Sequence, residues 1–418
     1  MSAGTVSVES FAAQAREWLA EHMPPADPSA GHFFFGDASA RSDANELARI
    51  QRCRELQHRL FDGGYAGICV PEQYGGRGLT PEHQFAFNRE LGGHDYPLEI
   101  QASTFIPCMA ILLEFGTEDQ KLRHVPRMLR GEEVWAQFLS EPTGGSDAAG
   151  ALTTATRDGE QWVLNGSKIW TTGAWYSDWA MCLARTNWDV EKHRGLTIFS
   201  FPIDTGGVEI QRIELLNGSK EFCQEFLTDV VVPDADRIGD VDGGWAVMTR
   251  WLYHERTIAG GSSYVTSAGG KSDGAANDGP KLARMAHDVG SLADERSLER
   301  IGEARALTLV TEALGKSVTR KMLDGTLPQH AAAMIRLLSG TGNVRKSTLA
   351  LELAGRSGVV WSSDEQLQAE TGLGYLLRQT ATIGGGTTEM ARNVISERLL
   401  GMPRELRADS GPFRNVPR

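Results

Sequence analysis

Leu152-Thr153-Thr154-Ala155-Thr156-Arg157-Asp158-Gly159-Glu160-Gln161-Trp162-Val163-Leu164-Asn165-Gly166-Ser167-Lys168-Ile169-Trp170-Thr171-Thr172 is the stretch on which the fold turns. Its strand-like runs, 152–156, 161–164 and 168–172, are separated by Asp158-Gly159 and Asn165-Gly166. Both dipeptides accept the positive φ of tight hairpin turns. Runs at Ala180–Arg185, Leu196–Phe201, Val208–Ile213 and Glu225–Val232 continue the texture. About seven or eight short strands at this spacing predict a compact antiparallel barrel or sandwich.

On both sides of this block the periodicity becomes helical. Phe11, Ala12, Ala15, Trp18 and Leu19, then Leu47, Ile50, Cys53 and Leu56, recur at helical spacing. Pro81–Leu91, Phe105–Phe115 and Glu118–Leu129 follow suit, and the signal from Trp245 to the end is helical again. Inside that last region Thr266–Pro280 is rich in glycine, serine and asparagine and reads as a surface loop.

The chain has 418 residues, room for two or three domains. Its 42 lysines and arginines stand against 54 acidic residues, a net charge of −12. That balance argues against a general nucleic-acid binder, which needs a basic surface to neutralise phosphates. Cys53, Cys69, Cys108, Cys182 and Cys223 form no C-x-x-C pair and read as reduced thiols. No apolar run approaches the ~18 residues of a membrane span. No apolar signal core precedes Glu9 and Arg16. A soluble cytoplasmic protein is expected. G-x-G-x-x-G after a strand, G-x-x-x-x-G-K-[ST], H-E-x-x-H and G-x-S-x-G do not occur, so simple nucleotide-binding and hydrolase readings have no anchor. No metal site is expected.

Four ordered segments carry a resemblance. They are Gly67-Ile68-Cys69-Val70-Pro71-Glu72-Gln73-Tyr74-Gly75-Gly76, Leu139-Ser140-Glu141-Pro142-Thr143-Gly144-Gly145-Ser146-Asp147, Asn165-Gly166-Ser167-Lys168-Ile169-Trp170-Thr171-Thr172, and Ile383-Gly384-Gly385-Gly386-Thr387-Thr388-Glu389 with Glu397-Arg398-Leu399-Leu400-Gly401. Together they resemble the signatures of the acyl-CoA dehydrogenase flavoproteins, in family order. The resemblance implies an α+β chain: an N-terminal helical domain (1–133), a middle antiparallel β-barrel (134–242) and a C-terminal four-helix bundle (243–418). It implies FAD, bound by Phe138, Leu139, Ser140, Gly145, Ser146, Trp170, Thr171, Thr172, Thr387 and Glu389. It also implies an acyl-CoA substrate near Ser146, Arg256, Gly385 and Gly386, and a setting in fatty-acid or sterol side-chain catabolism. The residue types suit these tasks. The turn at 141–146 exposes backbone N–H groups and hydroxyls to a polar ring edge. Trp170 can cover a flavin face, and Thr172, two residues along the strand, shares its side.

Two departures from the family pattern matter. Most members carry a catalytic glutamate directly before Gly-Thr; here that position is Gly385. A glycine keeps the backbone N–H but offers no carboxylate. Glu255 falls on the apolar stripe of Met248, Trp251 and Ile258, where a carboxylate is unexpected. Spacing alone also allows an edge glutamate paired with Arg250 or Arg256. His254-Glu255-Arg256-Thr257 resembles the isovaleryl- and long-chain-type members, which place their base in this helix, and that likeness assigns the base to Glu255. Second, the family's Arg-x-x-Phe-Gly segment, whose arginine meets a partner subunit's flavin pyrophosphate, is replaced by Ala286-His287-Asp288-Val289-Gly290. A homo-oligomer and a hetero-oligomer, dimeric or tetrameric, both stay open.

The expected reaction is α,β-dehydrogenation of an acyl-CoA, with Glu255 taking the α proton and electrons passing on to an electron-transfer flavoprotein or similar acceptor. Two rivals remain: a non-catalytic or partner-dependent subunit, and an acyl-CoA oxidase or flavin monooxygenase on the same scaffold.

Overall fold

The computed structural model describes residues 6–26, 43–259, 279–359, 366–406 and 409–416. Of the stretch Thr266–Pro280 expected as a surface loop, residues 266–278 lie outside them, while Gly279 and Pro280 open a helix instead.

Among the described residues six helices build the N-terminal part: α1 (Val8–His22), α2 (Asp43–Asp62), α3 (Pro81–Glu90), α4 (Leu98–Ser103), α5 (Ala110–Phe115) and α6 (Glu118–Arg130). Ser7 starts α1 by accepting the Ser10 N–H at 3.2 Å. Helix α1 buries Phe11, Ala15 and Leu19, the stripe that its spacing predicts. A π-helical turn, Thr104–Met109 around Pro107, joins α4 to α5 and packs against the helix that carries Glu255. Helix α6 opens with a reciprocal capping box between Thr117 and Gln120. The Gln120 amide also donates to the carbonyls of Ala235 (2.8 Å) and Arg237 (2.9 Å), tying α6 to the β region.

Eight strands follow: β1 (Trp135–Phe138), β2 (Thr154–Asp158), β3 (Gln161–Thr172), β4 (Trp179–Arg185), β5 (Leu196–Pro202), β6 (Val208–Ile213), β7 (Phe222–Pro233) and β8 (Arg237–Ile238). Their order is β6-β7-β3-β2-β4-β5-β8, with β1 beside β4. The sheet is mainly antiparallel, as expected, but β1–β4 and β2–β4 pair in parallel. The Asp158-Gly159 signal marks the β2–β3 hairpin, with Gly159 at φ 62.

Asn165-Gly166 is not a turn. Chain 161–172 is one strand with a register shift at Gly166. Asn165 donates to the Asp229 carboxylate at 3.0 Å and accepts the Asp229 N–H at 2.9 Å, across to β7. A Cβ on Gly166 would lie 2.5 Å from Thr153 Oγ1. The glycine thus serves close backbone approach.

The C-terminal part comprises α7 (Gly244–Ala259), α8 (Gly279–Asp288), α9 (Glu295–Leu323), α10 (Ala332–Ala354), α11 (Gln366–Leu377) and α12 (Thr388–Val394). Helices α8 to α11 form the expected four-helix arrangement around α10, while α7 packs on α5, the π turn and β5. Leu282, Met285, Ala304, Leu349 and Leu353 fill the bundle core. Among the described residues no helix is long and apolar enough to cross a membrane.

Candidate active site

Helix α7 is fixed along its length. Val247, Met248, Trp251 and His254 are buried. The Trp251 indole donates to Gln137 Oε1 at 2.7 Å. Glu114 on α5 accepts two bonds from Arg250, at 2.7 and 2.6 Å, and faces His254 Nε2 at 2.7 Å. The Arg250 hydrogen bond holds the Glu114 carboxyl below its ordinary range. Burial lowers the proton affinity of His254. The centre of the buried stripe is thus His254. Glu255, one residue on, is half-buried at its edge. The Arg256 side chain lies outside the described residues.

The segment between η-turn 378–382 and α12 faces Glu255. Gly385 and Gly386 adopt φ 69 and 95, where a side chain is disfavoured. A Cβ on Gly385 would stand 3.9 Å from Glu255 Oε1. The position that lacks a carboxylate and the helix that offers one therefore meet. Thr387 caps α12 by accepting the Met390 N–H at 3.1 Å. Glu389 is exposed, pairing with Arg392 at 3.3 Å.

A buried ion pair locks the segment at 139–146 to β3. Lys168 Nζ donates to Glu141 Oε1 (2.8 Å) and to the Leu139 carbonyl (3.2 Å). Glu141 also accepts the N–H groups of Leu152 (2.6 Å) and Thr153 (2.9 Å). Burial alone would raise the Glu141 carboxyl, but the Lys168 charge and these donors hold it below its usual range. Ser140 receives the Ile169 N–H on its carbonyl at 2.9 Å. The Ser140 hydroxyl lies 3.2 Å from where a Gly145 Cβ would be, so Gly145 keeps that cradle open.

Trp170 sits on a bulge opposite β7, at φ 67, with 53% of its surface exposed. A bulky residue in the left-handed region is strained and marks a functional constraint. An exposed, strained indole beside an open serine–glycine cradle fits a planar aromatic cofactor.

Residues 7–132, 136–230 and 242–400 match the N-terminal, middle and C-terminal domains of the acyl-CoA dehydrogenases. The chain is 32% identical to acyl-CoA dehydrogenase IpdE1 of Mycobacterium tuberculosis, over 95% of this chain and 98% of that protein. The chain belongs to the acyl-CoA dehydrogenase family. It is thus a flavoprotein-family oxidoreductase. IpdE1 of Mycolicibacterium smegmatis is 29% identical over 96% of this chain and all of its own length. The solved Tcur3481-Tcur3483 steroid ACAD shares the fold, with a TM-score of 0.73 at 24% identity over 95% of this chain and 98% of that one.

Within this family frame several side chains sit differently from the sequence expectation. The bulge breaks the two-residue alternation, so Trp170 and Thr172 do not share a face by simple strand register. Thr171 turns inward, donating to Glu225 at 2.9 Å. Phe138 is core, edge-to-face with Phe201 at 6.0 Å, and can meet a flavin through backbone alone. Ser146 is exposed at the end of the locked turn. Lys168, Glu225 and Glu114 are supports that the sequence alone does not single out. Lysine and glutamate at inward strand positions were the available signal for the first two.

Proposed function

We propose that this protein is an FAD-dependent acyl-CoA dehydrogenase that forms 2-enoyl-CoA thioesters, with Glu255 as the base for the α proton. The observation that supports this most is the 3.9 Å between Glu255 Oε1 and the missing Gly385 side chain. A carboxylate reaches the place where most family members have theirs, from a different helix.

When bound, FAD supplies the acceptor for the β hydride. Trp170 would cover the ring, Ser140 and the backbone of 138–140 would hold its polar edge, and Thr172, Thr387 and Glu389 would flank it. Ser146 would meet the thioester arm. The backbone N–H groups at Gly385 and Gly386 donate to the thioester carbonyl, drawing charge from the α carbon as its proton leaves. That proton passes to a Glu255 carboxylate oxygen while the carbon–carbon double bond forms. Closing the site over an acyl chain removes water and favours proton uptake by the base. An electron-transfer flavoprotein would take the electrons on.

A second, compatible reading is that the active unit is heteromeric. Helix α8 ends at Asp288, with Gly290 at φ 73 where the family pattern would continue past its arginine. A sister subunit would then supply the pyrophosphate contact. The test of both is anaerobic titration of the purified protein, alone and with co-expressed sister chains, using acyl-CoAs of graded size. Loss of flavin absorbance with appearance of enoyl-CoA supports the dehydrogenase. In a parallel aerobic assay, turnover with oxygen alone, equal to that with an electron acceptor, supports the oxidase instead.

A further inference from the structure

Arg336, on α10, makes an unusual set of bonds. Its Nε donates to the Gly386 carbonyl, Nη1 to Ala381 and Nη2 to Gly384, each at 2.8 Å. All three guanidinium nitrogens go to main-chain carbonyls of one segment. Among the described residues no carboxylate forms an ion pair with it. Burial lowers its proton affinity, as expected for a cation drawn out of water without a counter-charge. The approach is built for: one helical turn on, a Cβ at Gly340 would come within 2.6 Å of Arg336 Nη1 and 2.9 Å of the Ala381 carbonyl and of Thr388 Cγ2. A glycine there lets the 381–388 segment lie against α10.

The consequence follows from peptide geometry. No peptide bond in the described chain is cis. In a trans peptide the C=O and the following N–H point in opposite directions. Turning the Gly384 carbonyl to Arg336 turns the Gly385 N–H away from it, and turning the Gly386 carbonyl does the same to the Thr387 N–H. Glycines at φ 69 and 95 have little intrinsic preference for one peptide orientation. The guanidinium fork imposes one.

We propose that Arg336 is a positioning residue that aims the Gly385 N–H at the thioester carbonyl, by holding the Gly384 carbonyl on the opposite side while its bonds to the Ala381 and Gly386 carbonyls fix the segment before and after it. The inference rests on the assignment of Gly385 as a carbonyl donor made above. It makes the donor preorganised, which is the condition under which such donors lower a barrier most. Lysine cannot replace the fork, because a single ammonium cannot span three fixed carbonyls in one plane.

The test uses the FAD-loaded protein, or its loaded complex if a sister chain is required, with acetoacetyl-CoA as probe. Its β carbon is already a carbonyl, so no hydride leaves, and its enolate absorbance reports α-deprotonation and carbonyl stabilisation alone. In Arg336→Lys the apparent pKa of bound acetoacetyl-CoA is expected to rise by about one unit or more, a tenfold or greater loss, as when a donor is misplaced by a fraction of an ångström. Amide hydrogen exchange across 381–388 of the same variant, without any acyl-CoA, is expected to quicken while exchange in α9 and the sheet stays unchanged. In Glu255→Gln the enolate should still bind with its pKa unchanged or lower, since the donors remain and a negative charge is gone. An unchanged probe pKa in Arg336→Lys, with exchange quickened at 381–388, overturns the positioning role and leaves Glu255 untouched. Full turnover by Glu255→Gln would instead remove the base assignment and leave the Arg336 result standing.

Discussion

Glu255 Oε1 lies 3.9 Å from the point where a Cβ on Gly385 would stand. These residues are 130 positions apart in the chain, on elements whose placement depends on different partners. Glu255 is delivered by α7, which Glu114 and the π turn hold against the N-terminal helices and Gln137 against β1. Gly385 is delivered by a segment held on α10 by Arg336. A carboxylate at either position would serve one reaction volume. Carboxylates at both would repel, which gives a physical reason for glycine at 385 once glutamate stands at 255.

Replacing Lys168 with Met leaves Glu141 buried without its cation. Such breakage of a buried pair typically costs about 3–5 kcal/mol. Urea unfolding should show a loss of that size. Purified Lys168→Met should also retain less flavin, because the turn at 139–146 loses its anchor. A midpoint within error of the parent would mean that the pair contributes nothing net.

Glu225 gives stability a distinct pH dependence. Burial pushes its carboxyl up to about 7, against ~4.3 in an unfolded chain. The folded protein binds this proton more tightly, so the contribution is fully present below ~4.3 and is lost as pH rises through about 7. Glu225→Gln removes the titration, and its amide oxygen can still accept from Thr171. The variant should gain about 3–4 kcal/mol relative to the parent near pH 8 and little near pH 4. The comparison is urea unfolding at both pH values. Equal differences at the two would refute the account of Glu225.

Trp170→Ala should leave the fold intact, since the indole is 53% exposed and its ring contact is with Phe222 at 6.0 Å. Flavin binding should nonetheless weaken: a loss of ~1.5 kcal/mol of ring contact is about tenfold in Kd. Trp170→Phe should recover most of it. Ultrafiltration of free from bound FAD measures this directly.

Much of the architecture was legible in the residues. Helical stripes such as Phe11, Ala15 and Leu19, and the Asp158-Gly159 hairpin, arise from local rules that a linear reading captures. Asn165-Gly166 misled for a tertiary reason: Asp229, 64 residues away, engages the asparagine, and Thr153 crowds the glycine. The Trp170 bulge was equally invisible, because it depends on the register with β7 rather than on its own neighbours. On α7, spacing placed Glu255 on the apolar stripe, but Glu114 draws His254 to its centre instead. Arg336 could not be recognised as a clamp until the three carbonyls it bridges were in view.

The most direct test of the whole account is anaerobic flavin bleaching by an acyl-CoA substrate in Glu255→Gln. The amide is nearly isosteric, so fold and FAD content should match the parent, and a glutamine cannot accept the α proton. General-base removal typically costs ~10²–10⁴-fold in rate, so bleaching should fall at least a hundredfold with flavin content unchanged. Bleaching at near-parent rate would contradict the assignment of Glu255 and favour a base elsewhere or a partner-dependent site.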